Sequence, residues 1–302
     1  MIDVHRRICY SFCIYGIDKI EERKSFMKEI RMLSFDLDGT LLDDRGLLSE
    51  GNRSVIQEYA RRGVKVVLAS GRMPSRIEPY ADLLEVDCAM IAYNGAVTFL
   101  PRAEKKKMIL YDPLPAIVAE EVMDYCREWK FHLNFYSDEK VYVLEEYRFS
   151  RYAEIYANQT GAELTFVPDF TPFQGRAPVK LVIVMDPLHP DLRRTRDFQY
   201  NYFSEKLKGR AHVVRSNPEY LEFLSISANK GVALLRIAEY YGIAAETIMA
   251  FGDAENDREM LSYAGIGVAM ANASESLRRE SDAVTVTNNN NAGVANFLLE
   301  LL

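Results

Sequence analysis

The sequence predicts an α/β protein: a doubly wound, mostly parallel, Rossmann-like sheet interrupted by an inserted α+β domain. Three observations carry this prediction. Four apolar runs of strand length, at 31–35, 64–69, 88–92 and 247–252, are continuous rather than alternating, the pattern of strands covered on both faces. Helical periodicity falls between such runs, and strand–helix alternation with right-handed crossovers builds a parallel sheet. From about 112 to 217 the texture changes: alternating strand patterns mix with helices, and prolines at 113, 115, 168, 172 and 178 punctuate them.

In chain order, the run 31–35 ends in Phe35-Asp36-Leu37-Asp38-Gly39-Thr40-Leu41. A helix is expected at 49–62, because Ser49 can cap it, Glu50 suits its first turn and Gly63 follows its end. The run 64–69 leads into Ser70-Gly71-Arg72, and 88–92 leads into Tyr93-Asn94-Gly95-Ala96. Inside the insertion, helices are expected at 117–129, 148–159 and 193–207 and strands at 140–144, 179–185 and 211–215. The helix at 230–241 has Val232, Leu235 and Ala238 on one face and stops at Gly242. After 247–252, a helix at 254–264 opens with acids, which suits its dipole. Short strands at 266–269 and 283–286 follow, then a polar asparagine run at 288–291 before the last helix. No internal repeat is present.

A chain of 302 residues is long for one core, so two domains are expected. The boundaries are 27–111 with 218–302 for the sheet domain and 112–217 for the insertion. A composition 48% hydrophobic and 27% charged belongs to a globular protein, and no apolar run reaches membrane-span length. The net charge of -7 argues against a nucleic-acid partner but not against small anions, because a bound cation reverses the sign locally. The four cysteines, Cys9, Cys13, Cys88 and Cys126, complete no zinc site and fit a reduced, cytoplasmic setting. Residues 1–26 join a short apolar stretch (8–17) to a charged one (18–24) with no cleavage signal between them. They are expected to be a leader that is non-native or disordered, with Met27 as the true start.

Four clusters carry the chemistry. Asp36 and Asp38 follow a buried strand; two acids there can hold a hard cation, and one can attack phosphorus while the other moves a proton. Ser70 and Gly71 at a helix entry suit a phosphate. Lys230, in Asn229-Lys230-Gly231, opens a helix against the dipole preference, which suggests an anionic partner. Gly252-Asp253-Ala254-Glu255-Asn256-Asp257 gathers acids that suit a metal. Each alone has an ordinary alternative: a strand-end turn, a Ser-Gly turn, an exposed lysine, a helix cap. Their placement after strands or at helix starts brings all four to one sheet edge, and four coincidences are improbable together.

These segments, in this order, resemble the haloacid-dehalogenase-like (HAD) superfamily of phosphohydrolases. The resemblance covers essentially all of 31–302. It lies nearest the Cof-type subgroup, whose α/β cap of the second type is inserted where 112–217 stands. Tyr93-Asn94-Gly95-Ala96 and Glu222 match that subgroup, and Ser225-Ile226-Ser227-Ala228 departs from its usual Pro/Gly turn. The resemblance implies that Asp36 is the nucleophile, forming an aspartyl-phosphate, and that Asp38 protonates the leaving oxygen and then activates water. It implies Mg²⁺ held by the Asp36 carboxylate, the Asp38 backbone carbonyl and Asp253, with Asp257 and Asn256 orienting that set. Ser70, Gly71, Lys230, Asn256, Arg72 and Asn94 would surround the substrate phosphate.

The expected activity is therefore Mg²⁺-dependent hydrolysis of small phosphorylated metabolites, sugar phosphates first, with no membrane, nucleic-acid or obligate protein partner. A phosphomutase and a non-enzymatic phosphometabolite sensor are the alternatives. Within the cap, Trp129, Phe131, Phe135, Tyr136, Tyr142, Tyr147, Phe149 and Tyr152 are expected mostly as core. His132, Asn134, Arg148, Arg151 and Arg176 are candidates for contact with the leaving group.

Overall fold

The buried apolar runs become strands because, covered on both faces, each satisfies its backbone only by pairing with neighbours. In chain order the strands are β1 (Met32–Asp36), β2 (Lys65–Ala69), β3 (Cys88–Ala92), β4 (Val97–Phe99), β5 (Met108–Tyr111), β6 (His132–Ser137), β7 (Lys140–Leu144), β8 (Leu164–Val167), β9 (Lys180–Val184), β10 (Ala211–Asn217), β11 (Tyr220–Ser225), β12 (Ile248–Gly252), β13 (Ile266–Ala269) and β14 (Ala283–Val284). The computed structural model describes residues 30–302 apart from 187, 189–191 and 218. The expected leader, with Cys9 and Cys13, lies outside the described residues. Two compact units are present, one running to Leu110 and resuming at Asn229, the other Tyr111–Ala228. Among the described residues, no helix is long and apolar enough to cross a membrane.

The first unit holds an eight-stranded sheet in the order β14-β13-β12-β1-β2-β3-β4-β5. From β14 to β3 every neighbouring pair is parallel, and β4 runs antiparallel to β3. The chain leaves β1 toward β2 and β3, then returns after the insertion on the other side of β1 as β12. The winding reverses at β1, so the loops after β1, β2 and β12 open side by side. Register fixes this closely, with Phe35 opposite Phe251 and Asp36 opposite Ala69. The Phe35 and Phe251 rings stack at 5.3 Å. On one face Met32, Val67, Ile91, Ile248 and Ala250 meet Leu234 and Ile237 of the helix Lys230–Tyr241. Each of the Met, Val, Ile and Leu side chains among these, fully buried, contributes roughly 1.5–3 kcal/mol.

Helix starts follow local chemistry. Ser49 Oγ accepts from the Asn52 amide at 3.1 Å, and Asn229 Oδ1 accepts from the Val232 amide at 2.8 Å. The helix expected at 254–264 divides into a 3-10 turn, Glu255–Asp257, and a helix, Arg258–Tyr263. The helix expected from 148 starts at Arg151, because Ser150 caps it through the Ala153 amide.

The second unit is a six-stranded sheet, β10-β11-β9-β6-β7-β8, antiparallel except for β7 with β8. Its alternation puts Leu133, Phe135, Leu181, Ile183, Leu221 and Phe223 against Val118, Val122 and Phe203 of the helices Ala116–Trp129 and Leu192–Lys206. The intervening strand residues face the other way, among them a buried Lys180–Glu222 ion pair at 2.9 Å. The expected return to the sheet domain at 218 is too early. Strand β11 belongs to this sheet because Leu221 and Phe223 complete its core, and the unit extends to Ala228. The aromatics also divide: Phe135 and Tyr136 are buried, whereas Trp129 and Phe149 are exposed.

Gly95 shows how tightly the site's surroundings are packed. Its φ is +105°, and a Cβ there would sit 2.2 Å from the Asn229 carbonyl oxygen, the cap of the helix carrying Lys230. A backbone group cannot move aside as a side-chain tip can. Gly95→Ala is therefore expected to cost about 2 kcal/mol. By differential scanning calorimetry, the core transition should fall by about 5 °C; an unchanged transition would show that the loop yields freely.

Candidate active site

Asp36 is the last residue of β1 and only 6% exposed. The chain then turns through Gly39 at φ +82°, where a Cβ would lie 2.5 Å from the Asp253 carboxylate. Glycine at this position lets Asp253, just past β12, sit directly over the turn. Thr40 Oγ1 donates to Asp253 Oδ1 at 3.0 Å, and Asn272 Nδ2 donates to the Gly39 carbonyl at 2.8 Å.

Lys230, at the first position of its helix, is wholly buried. Its Nζ lies 2.5 Å from Asp36 Oδ1 and 2.6 Å from Asp257 Oδ1. Asp257 also accepts through Oδ2 from the amides of Asp253 and Ala254, both at 3.0 Å. Gly252 leaves the necessary space, since a Cβ there would be 2.5 Å from Asp257 Cβ.

Carboxylate oxygens of Asp36, Asp253 and Asp257 lie within 4.8 Å of one another. Burial works against the charge of Lys230, but Asp257 and Asp36 outweigh it and raise its pKa. Asp36 is raised well above the usual carboxylate range, by burial first and then by Asp257, against the pull of Lys230. Asp253 is pushed up to about 6, by burial and then by Asp257. Three acids thus lie around one ammonium, which bonds two of them, and burial together with their mutual repulsion raises Asp36 and Asp253. An all-oxygen, net-negative set of this kind fits a hard divalent cation such as Mg²⁺.

Asp38 lies apart from this cluster. Its side chain is 56% exposed and is held by Arg72, with Nε donating to Oδ2 at 2.8 Å and Nη2 donating to Oδ1. Arg72, expected at the substrate phosphate, forks onto Asp38 in this structure, because a guanidinium matches a carboxylate with two parallel bonds. Ser70 is buried after β2, and its carbonyl accepts from the Asn94 amide at 3.0 Å. Asn94 holds φ +56° and accepts through Oδ1 from Asn256 Nδ2 at 2.9 Å. A Cβ on Gly71 would lie 3.0 Å from that same Asn94 Oδ1. The loops after β2, β3 and β12 therefore interlock through Ser70, Asn94 and Asn256.

The sequence reading gave no role to Thr40, Asn272 or Tyr80. Thr40 stands in the first motif, and its hydroxyl was the available signal. Asn272 reaches Gly39, and the Tyr80 hydroxyl donates to the Gly46 carbonyl, across sequence separations that no local pattern records. The asparagine run, read as a polar loop, braces the turn after β1: Asn289 Nδ2 donates to the Leu42 carbonyl and Asn290 Nδ2 to Asp44 Oδ2. In the second unit, His132 and Asn134 are buried and bonded to each other, while Arg148 pairs with Glu145 and Arg151 with Asp186. Arg176 lies over the Phe173 ring.

Residues 33–298 match the family model for haloacid dehalogenase-like hydrolases. An HMP-PP phosphatase of Escherichia coli is 30% identical, over 90% of this chain and 96% of its own. The 5-amino-6-(5-phospho-D-ribitylamino)uracil phosphatase of Bacillus subtilis is 27% identical, over 89% of this chain and 96% of its own. Among solved structures, a Thermotoga maritima protein is 32% identical with a TM-score of 0.78, covering 89% of this chain and 97% of that one.

The crowding of acids has a measurable consequence. Because the pKa of Asp253 is raised on folding, from 3.8 to about 6, the folded protein holds that proton more tightly than the unfolded chain. The stability this confers is full below about pH 4 and is lost as pH rises through about 6. A bound divalent cation should restore it, so saturating Mg²⁺ should raise the melting temperature by more at pH 7.5 than at pH 5. Asp253→Asn should melt higher than wild type without metal at pH 7.5 and should lose most of the Mg²⁺ shift. Equal shifts at both pH values, or a full shift in the variant, would contradict the metal reading.

Proposed function

The chain belongs to the haloacid dehalogenase-like hydrolases, as a phosphatase of their Cof-type branch, and on that premise we propose that it hydrolyses small phosphorylated metabolites with Mg²⁺ through an aspartyl-phosphate on Asp36. The observation that carries this reading is the Lys230 ammonium, 2.5 Å from Asp36 and 2.6 Å from Asp257 at the end of β1.

Phosphoryl transfer depends on placement and charge neutralisation more than on covalent chemistry by the protein. Lys230 engages Oδ1 of Asp36, which fixes the carboxylate plane and leaves Oδ2 as the attacking atom. Burial and neighbouring acids disfavour the ionised nucleophile, and Lys230 opposes them. Asp36, the Asp38 backbone carbonyl and Asp253 would hold Mg²⁺, which when bound supplies the positive charge that lets a phosphate dianion approach these acids. Asp257, held by Lys230 and two amides, orients that set. Ser70, Gly71, Asn94 and Asn256 form the rim for the phosphoryl oxygens. Asp38 protonates the leaving oxygen, then takes a proton from the water that releases phosphate.

Sugar and polyol phosphates are the favoured substrates. The Bacillus subtilis relative is named for a phospho-ribityl substrate.

A phosphate-release panel of phosphorylated metabolites, with and without Mg²⁺, tests the reading. Asp36→Asn should abolish turnover while melting cooperatively, and phosphate release by this variant at the wild-type rate would refute the nucleophile. Asp38→Asn should lose roughly two to four powers of ten in rate, and a value within a few-fold of wild type would refute its role.

A further inference from the structure

Asp38 stands on the turn just past the nucleophile with more than half its side chain exposed. A carboxylate so placed samples several rotamers, and an acid that must meet a leaving oxygen loses rate when it wanders. Arg72 restrains it by a two-bond fork, but Arg72 ends a flexible stem and needs an anchor of its own. The third guanidinium nitrogen, Nη1, donates to Tyr80 Oη at 3.0 Å, and the ring centre lies 5.2 Å from the guanidinium carbon. The Tyr80 hydroxyl then donates onward to the Gly46 carbonyl at 3.4 Å.

Gly46 lies in a turn with little freedom. Asp43 closes it through its backbone, accepting from the Gly46 amide at 2.8 Å, and through its side chain, with Oδ1 accepting from the amides of Arg45 and Leu47, both at 2.9 Å. Gly46 itself adopts φ +75°. A rigid turn, a phenol, a guanidinium and the acid therefore form one line.

We propose that Tyr80 is a positioning residue for Asp38, its hydroxyl joining the 43–47 turn to Arg72 and so fixing the direction from which the leaving oxygen is protonated. This deepens the proposed phosphatase reading and rests on it. The chemistry concerned is expulsion of the leaving group: the bond from Asp36 Oδ2 to phosphorus forms as the bond from phosphorus to the leaving oxygen breaks, the leaving oxygen takes the broken bond's pair, and a proton from Asp38 neutralises it. A sugar alkoxide needs that proton, whereas nitrophenolate departs without it. The ratio kcat/KM covers only the steps through this departure, so later hydrolysis of the intermediate does not mask the effect.

The test compares wild type, Tyr80→Phe and Arg72→Lys on D-ribose 5-phosphate and p-nitrophenyl phosphate with saturating Mg²⁺. Tyr80→Phe keeps the ring and removes only the hydroxyl. It should lose at least tenfold more in kcat/KM on the sugar ester than on the aryl ester. Arg72→Lys, which keeps the charge but not the fork, should show the same selective loss. Equal losses on both esters would make Tyr80 merely structural, and no loss on either would remove it from the line; both results overturn the assignment. A wild type that releases phosphate from neither ester, whatever the variants do, would overturn the phosphatase reading and the assignment with it.

Discussion

The site depends on one buried ammonium. Lys230 is entirely out of water, as is Asp257, and Asp36 nearly so. Taking such ions from water costs several kcal/mol each, and only close, well-aligned partners offset it. The distances of 2.5 and 2.6 Å meet that demand. The packing that achieves them is equally demanding. At Gly231, a Cβ would lie 2.5 Å from the Glu259 carbonyl oxygen, so the helix carrying Lys230 approaches the segment after Asp257 at backbone distance. Removing the ammonium would leave two buried acids facing each other. The lysine is therefore both a structural element of the core and a chemical element of the site.

Topology explains why residues this far apart in sequence meet. The sheet changes its winding direction at β1, so the loops after β1, β2 and β12 share one edge without any long excursion of the chain. Small contacts then lock those loops: Thr40 to Asp253, Asn94 to Asn256, and Asn272 to Gly39. Asp36 ends a strand and Lys230 opens a helix, while Asp253 and Asp257 lie just past β12, so the charged groups are held by regular elements and short connections. Burial, and then the neighbouring Asp257, raise the pKa values of Asp36 and Asp253, a crowding that a bound cation would relieve.

Much of this was legible in the sequence because the core strands are buried on both faces and announce themselves as continuous apolar runs. The bounds of β3, β7 and β13 and of the helix Lys230–Tyr241 agree with the sequence reading, and the four clusters were read as one edge. The misses have physical causes. Strand β11 alternates, and its inward residues, Leu221 and Phe223, serve the second core, so apolar content alone did not say which unit owned it. Arg72 was expected at the substrate phosphate; the pairing that the sequence did not record is its fork onto the nearby Asp38. Tyr80 and the asparagine run gave no signal, since the hydrogen bonds from Tyr80 to Gly46 and from Asn289 to Leu42 cross sequence separations that no local pattern spans.

The most direct measurement is a crystal structure with Mg²⁺ and beryllium fluoride, which mimics a phosphoryl group on a carboxylate. The account predicts the fluoride adduct bonded to Asp36 Oδ2 and Lys230 still on Oδ1. It also predicts one cation at about 2.1 Å from oxygens of Asp36 and Asp253. A cation settled elsewhere, or an Asp36 left unmodified while Lys230 turns away from it, would contradict the account.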